Sequence, residues 1–303
     1  MDTAPHSPTA EWTQRAERGS VPLVRFMAWA SVHGGRALSR LLLYPIITYF
    51  FLTAARPRAE VRAFLRRALG RPPRLAEVFR TFLNFATTIH DRVYLLKGRF
   101  DLFEIELHGV DLLDPGGTLL MGAHLGSFEA MRACGRGIAR RRVAMAMYED
   151  NARRLNEILA MIEPAAMQDI IPLGRLDSML ELEARLAAGE LVGVLADRSL
   201  GDEPVLRLPF LGEDASFPTG PMRMAAALRR RVFFMAGIYR GGNRYEITFE
   251  PLADFTDLEG DDRLARREHV EAAVRRYAAR LESLSRDAPH NWFNFHDFWS
   301  KAP

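Results

Sequence analysis

Gly117-Thr118-Leu119-Leu120-Met121-Gly122-Ala123-His124-Leu125-Gly126-Ser127-Phe128-Glu129-Ala130 is the stretch on which the fold turns. Its first five residues form a short apolar run that predicts a buried strand, and a helix is expected from about Phe128 to Arg136. A histidine therefore falls where strand gives way to helix, and ligands of open α/β sheets dock at strand ends. Glu129 follows His124 by five residues. On one helix the two would stand about 140° apart, on different faces. With His124 in the turn and Glu129 in the first helical turns, the side chains can converge. The spacing thus favours a loop-plus-helix pair over a helical metal site, which would want i, i+4.

Outward from this stretch the same alternation recurs. Strand-like runs occur at 143–147, 169–172 and 191–196, separated by helical stretches at 152–161 and 177–188. Phe103 to Leu107 alternates like a half-buried strand and turns near Gly109. A hairpin is expected from 232–239 and 244–250 around Gly241-Gly242-Asn243, then a long amphipathic helix over 262–284. Upstream, Val61, Phe64, Leu65 and Leu69 mark one helix that stops at Gly70, and a second begins after Pro72-Pro73. Strands alternating with helices predict an α/β fold with a largely parallel central sheet flanked by helices.

The 303 residues suffice for one large or two small domains, and 48% hydrophobic with 26% charged content is that of a folded protein. The net charge is +3, and the cations are nearly all arginine, with Lys97 and Lys301 the only lysines. Basic residues are interspersed with acids such as Asp257 to Asp262, which argues against nucleic-acid binding. Cys134 is the single cysteine, so no disulfide within the chain and no multi-cysteine zinc site can form. No His/Asp/Glu cluster has metal-ligand spacing. Residues 1–10 lack the basic start and apolar core of a secretory signal, so a cytoplasmic location is expected.

Leu41 to Ala55 is charge-free, with Arg36 and Arg40 before it and Arg56 and Arg58 after. As a helix it would be roughly 22 Å long, short of the ~30 Å hydrocarbon core. An interfacial or partly inserted membrane anchor is expected, with Tyr44 and Tyr49 at head-group depth; the alternative is a buried core helix. The chain divides accordingly into a polar tail and membrane-associating helical segment, 1–57, and a catalytic part, 58–303.

Most single histidines are structural. His124 stands apart because small neighbours, Ala123 and Gly126, leave its ring accessible. A neutral imidazole of pKa ~6.5 suits a general base, and a carboxylate on its far nitrogen would fix the tautomer and stabilise the imidazolium. Glu129 is the carboxylate the spacing offers.

His124-Leu-Gly-Ser-Phe-Glu129 resembles the His-x4-Asp/Glu signature of the lysophospholipid acyltransferase superfamily, and its setting resembles the bacterial lipid A late acyltransferases. Asp197-Arg198 ends a strand where that family commonly has Asp-Gln. Pro209-Phe210-Leu211-Gly212 resembles its Phe-Phe-Gly turn, Phe217-Pro218-Thr219-Gly220-Pro221 the segment after it, and Pro289 to Trp299 its aromatic C-terminal block. Arg198 for Gln, and Leu211 interrupting the double Phe, leave the acceptor open more than the reaction.

The resemblance implies an acyltransferase-like fold with an N-terminal helical membrane anchor, on the cytoplasmic face of a bacterial inner membrane. His124 would deprotonate an acceptor hydroxyl as it attacks an acyl thioester, with Glu129 orienting His124 and helix-start N–H groups stabilising the oxyanion. The implied donor is an acyl carrier protein thioester ahead of a CoA thioester, the acceptor a lipid or glycolipid, and no cofactor or metal is required. Gly126, Ser127, Asn151, Arg154, Asp197, Arg198, Phe210, Gly212, Pro218, Gly220 and Arg223 are the candidate substrate-binding residues. For Arg198 and Arg223 a plain ion pair is the alternative, and Asp197 can instead hold a loop or an arginine. Ser127 is either a helix N-cap or a competing nucleophile. The tail aromatics are either packing or an acyl groove. Two other classes stay open, a non-catalytic lipid-binding homologue and a Ser127-dependent thioesterase or hydrolase; the sequence holds no Gly-x-Ser-x-Gly elbow.

Overall fold

The computed structural model describes residues 21–137, 141–148, 169–173, 176–199, 203–257 and 263–300. Nine strands lie within them: β1 (Glu104–His108), β2 (Thr118–Gly122), β3 (Val143–Tyr148), β4 (Ile170–Leu173), β5 (Leu191–Leu195), β6 (Val205–Phe210), β7 (Glu213–Pro218), β8 (Arg231–Gly241) and β9 (Arg244–Asp254). Seven form one sheet in the order β1-β9-β8-β2-β5-β3-β4, while β6 and β7 make a separate antiparallel hairpin. Within the large sheet only β8 and β9 run antiparallel. That pair is the hairpin expected around Gly241 and Gly242, both of which take positive φ. β2 lies between β8 and β5 and is buried along its whole length, as an apolar strand covered on both faces should be.

The helices are α1 (Val21–Thr53), α2 (Ala55–Leu69), α3 (Leu75–Leu96), α4 (Phe128–Gly137), α5 (Leu176–Ala187), α6 (Gly220–Ala227) and α7 (Arg263–Asp287). The β6–β7 hairpin is the element the sequence reading left without strands. Its two-residue turn puts both Leu211 (φ 54°) and Gly212 (φ 90°) in the left-handed region, which suits a tight hairpin. Leu211 tolerates that backbone while its side chain is buried in the core. The helix expected over 152–161 lies outside the described residues, as do Asn151, Arg153 and Arg154.

The N-terminal helix is neither a fully buried core helix nor one straight segment. α1 breaks at Gly35 (φ 71°, ψ 171°). Beyond the break Leu43, Ile47 and Phe51, at i, i+4 and i+8, join the same core as Val61 and Phe64 of α2. Polar contacts fasten it too. The Arg36 guanidinium donates twice to Asp91 of α3, at 2.8 and 2.9 Å, and Ser39 Oγ lies 2.7 Å from His90 Nε2. Tyr245 O–H completes this buried clasp by donating to Asp91 at 2.8 Å. The opposite face of α1 stays bare: Leu41, Tyr44, Tyr49 and Leu52 are each half exposed or more. Among the described residues no single helix is long and apolar enough to cross a membrane. Gly34–Thr53 passes that test only together with Ala55–Leu69, across a 93° bend. The stretch Leu41 to Ala55 is thus a surface helix, half docked and half bare.

Candidate active site

Strand register brings the site together. β2 and β5 are parallel neighbours, with Met121 opposite Val194 and Gly122 opposite Leu195. His124 stands two residues past Gly122 and Asp197 two past Leu195, so both arrive at the same carboxyl edge. The strands splay little there, because Ala196 N–H still donates to Gly122 O at 2.9 Å. One layer further out the Asp197 carboxylate replaces the ladder. Oδ2 accepts the His124 backbone N–H at 3.1 Å, and Oδ1 lies 2.9 Å from the ring nitrogen Nδ1.

A carboxylate can only accept, so Nδ1 carries the proton and Nε2 keeps its lone pair. The His124 side chain is 30% exposed while that of Asp197 is fully buried, which leaves one ring edge open for a substrate. Burial raises the Asp197 carboxyl, but the His124 ring, Arg198 and the Asn294 amide outweigh it and hold the group well below the usual carboxylate range. Asn294 Nδ2 donates to Asp197 Oδ2 at 2.7 Å, and Arg198 Nε donates to Asn294 Oδ1 at 2.7 Å. For His124, burial and then the Arg198 cation lower the pKa, and Asp197 raises it by less. The ring is therefore a neutral base at pH 7.

The turn after His124 is held on three sides. His124 O accepts Phe293 N–H at 2.8 Å, Gly126 N–H donates to Asn291 O at 2.8 Å, and Ser127 N–H donates to Gly237 O at 2.7 Å. Gly126 takes φ +80°, and a Cβ there would stand 2.2 Å from Gly237 O. Only glycine fits.

The Glu129 side chain does not converge on His124. It sits in the first turn of α4, 2% exposed, with Oε2 accepting from Arg132 Nε at 3.1 Å and Arg92 of α3 at 3.7 Å from Oε1. No hydrogen bond joins it to His124. An i, i+3 arginine on its own helix captures the carboxylate, and the orienting position falls to Asp197, from a strand 73 residues on.

Ser127 Oγ accepts Ala130 N–H at 3.2 Å, the geometry of an N-cap, and makes no hydrogen bond to His124. Ser127→Ala should therefore cost about 1 kcal/mol of stability and leave turnover nearly intact. Loss of turnover together with a trapped acyl-serine in the parent enzyme would restore the nucleophile.

The family model for bacterial lipid A biosynthesis acyltransferases matches residues 74–301. The chain belongs to this family. No curated protein sequence matches significantly. Among solved structures, the 1-acyl-sn-glycerophosphate (LPA) acyltransferase PlsC of Thermotoga maritima is similar over 80% of this chain and 98% of its own. The identity is 14% and the TM-score 0.38, too loose a likeness to carry residue roles across.

Of the residues the sequence singled out in this acyltransferase, the fold gathers His124, Gly126, Ser127, Asp197 and Arg198 at one sheet edge. Arg198 is partly buried and tied to Asn294 beside the histidine. Phe210 is fully buried, its ring 5.5 to 5.9 Å from those of Phe217, Trp292, Phe298 and Trp299, so it packs and cannot reach substrate. Pro218 is buried at the end of β7. Gly212 lies exposed at the hairpin tip, Gly220 begins α6, and Arg223 is exposed on that helix. Among the described residues no hydrogen bond, ion pair or ring contact joins these three to His124.

Asn291 and Asn294 also belong to the site, and sequence reasoning missed them. Asn291 uses its side chain to bond both N–H and C=O of Tyr239, at 2.9 and 3.1 Å, while its carbonyl holds Gly126. Two amides inside an otherwise aromatic block were the available signal. Of the aromatics, Trp292 serves as packing, stacked on Phe64 of α2 at 4.9 Å and 3°.

Proposed function

We propose that this acyltransferase moves a fatty acyl chain from an acyl carrier protein thioester to a hydroxyl of a lipid or glycolipid, lying on a membrane as it does so. The observation that carries this reading is the Asp197–His124 pair with its open Nε2. In the reaction the acceptor O–H gives its proton to Nε2 as its oxygen attacks the thioester carbonyl. Asp197 keeps the tautomer and stabilises the imidazolium that results. When the C–S bond breaks, the imidazolium returns the proton to the leaving thiolate, so no acyl-enzyme forms.

The oxyanion has two sources of stabilisation at hand. Gly126, Ser127 and Ala130 N–H groups are committed to Asn291, Gly237 and Ser127 Oγ. The N–H groups of Phe128 and Glu129 remain at the start of α4, where the helix dipole favours negative charge. Arg198 adds a fixed cation beside the ring. That cation opposes the imidazolium while favouring the oxyanion, and Asp197 balances it. Arg198→Gln removes the cation, so the His124 pKa rises and the acid limb of kcat/KM moves to higher pH. A limb that moves to lower pH would refute this placement.

An acyl chain has an apolar bed beside His124. Phe85 and Ile89 of α3 are 36% and 42% exposed, and the Phe85 ring meets Phe293 and Phe295 at 5.3 and 5.0 Å. The bare face of α1 supports membrane contact by lying in the interface rather than crossing it. Purified protein given acyl-carrier thioester and candidate lipid acceptors should form acylated lipid and free carrier thiol in equal amounts. Thiol release without acylated lipid would make it a thioesterase.

A further inference from the structure

α2 and the segment that follows it form one of the strongly basic stretches of this protein. From Ala55 to Arg80 the chain holds eight arginines against two glutamates, an excess of six where the whole chain carries three. α2 arranges three of them, Arg58, Arg62 and Arg66, at i, i+4 and i+8 along one wall of a half-open groove of about 890 Å³, with Pro72, Pro73 and Leu75 on the other. Arg58 is in use, donating to Phe51 O at 2.6 Å. Arg62 and Arg66 are exposed, and among the described residues neither has an ion-pair partner. By contrast Arg67 is tied to Glu213 at 2.7 Å and Arg71 to Glu77 at 2.6 Å. Two exposed guanidinium groups without a direct ion pair, of which Arg66 feels Glu213 only from a distance, are matched by carboxylates, which they grip in a bidentate fork.

We propose that the outer face of α2 and its groove are the docking surface for an acidic acyl carrier protein, resting on the reading above that the donor is carrier-borne. A bilayer fits this face less well. A helix that lies in a membrane buries its apolar side there, whereas Val61, Phe64, Leu65 and Ala68 of α2 are already spent in the core. The apolar face free for lipid belongs to α1, whose axis is bent 93° from α2. Placement also favours a donor. The inner face of α2 stacks Phe64 on Trp292, and Trp292 bridges to Leu125, next to His124. One helix and one aromatic layer separate the docking face from the base.

The test is the double variant Arg62→Glu/Arg66→Glu, with its melting temperature checked against the parent. Its KM for acyl-carrier donor should rise about tenfold or more, and the parent's own KM for that donor should climb with ionic strength. With acyl-pantetheine, a small neutral thioester, kcat/KM should be unchanged, and so should binding to phosphatidylglycerol/phosphatidylcholine vesicles. An unchanged carrier KM overturns the proposal. Lost vesicle binding with an unchanged carrier KM overturns it in favour of anionic lipid. Equal loss with both donors overturns it as well, because the damage would then lie in the site. If the parent turns over acyl-pantetheine or acyl-CoA but never the carrier-borne donor, the donor reading fails and the docking surface falls with it.

Discussion

His124→Ala is expected to lower acyl transfer by roughly a thousandfold or more, the contribution of a positioned general base. Alanine leaves nothing to take the hydroxyl proton. The fold should survive, since the side chain is partly exposed and Asp197 keeps two donors, the His124 backbone N–H and Asn294. His124→Gln makes the test cleaner. It offers Asp197 a side-chain amide donor but no nitrogen that titrates near neutrality, and it should be equally inactive. Either variant turning over at the parent's rate would remove His124 from the mechanism.

Asp197→Asn should be nearly as severe, and for a more particular reason. Oδ2 of Asp197 now accepts two N–H groups, from the His124 backbone and from Asn294. In the variant the amide oxygen must stay at that position to satisfy both. The NH2 group then faces Nδ1, which has to accept, and the proton moves to Nε2. The base is lost by tautomer while the geometry survives, and loss of this kind reaches about 10⁴-fold in kcat where it has been measured in a triad. Glu129→Gln should behave differently. It breaks a buried ion pair with Arg132, a change that costs about 3–5 kcal/mol of stability and shows first in the melting temperature. The comparison decides between the two carboxylates: a tenfold or smaller loss in Asp197→Asn beside a folded, inactive Glu129→Gln would return the orienting role to Glu129.

The sheet was legible because β2, β3 and β5 are unbroken apolar runs, and such runs declare a strand buried on both faces whatever surrounds them. The β8–β9 hairpin was legible from its glycines. His124 was legible because a histidine among small residues at a strand end is locally unusual. Its partner was not, since the nearest carboxylate in sequence need not be nearest in space. Choosing Asp197 over Glu129 requires knowing that β5 lies beside β2, and that adjacency is a property of the sheet. Asn291 and Asn294 were hidden for a similar reason, their partners lying on β8 and after β5. The turn at Leu211-Gly212 was legible only through the resemblance, and its flanking strands were not, because leucine in a left-handed turn is stabilised by burial that a local reading cannot foresee.

The equal offset of His124 and Asp197 from the paired residues Gly122 and Leu195 sets where this protein can tolerate changes in length. A residue inserted or deleted before β2 or before β5 alters a connection and leaves the spacing from strand to side chain intact. The same change between Gly122 and His124, or between Leu195 and Asp197, puts the partners out of step by one residue and turns a side chain to the opposite face of the sheet. Two short tethers, each two residues long, therefore act as a vernier for the reaction, and relatives should vary in length in the connections before β2 and β5 but not there.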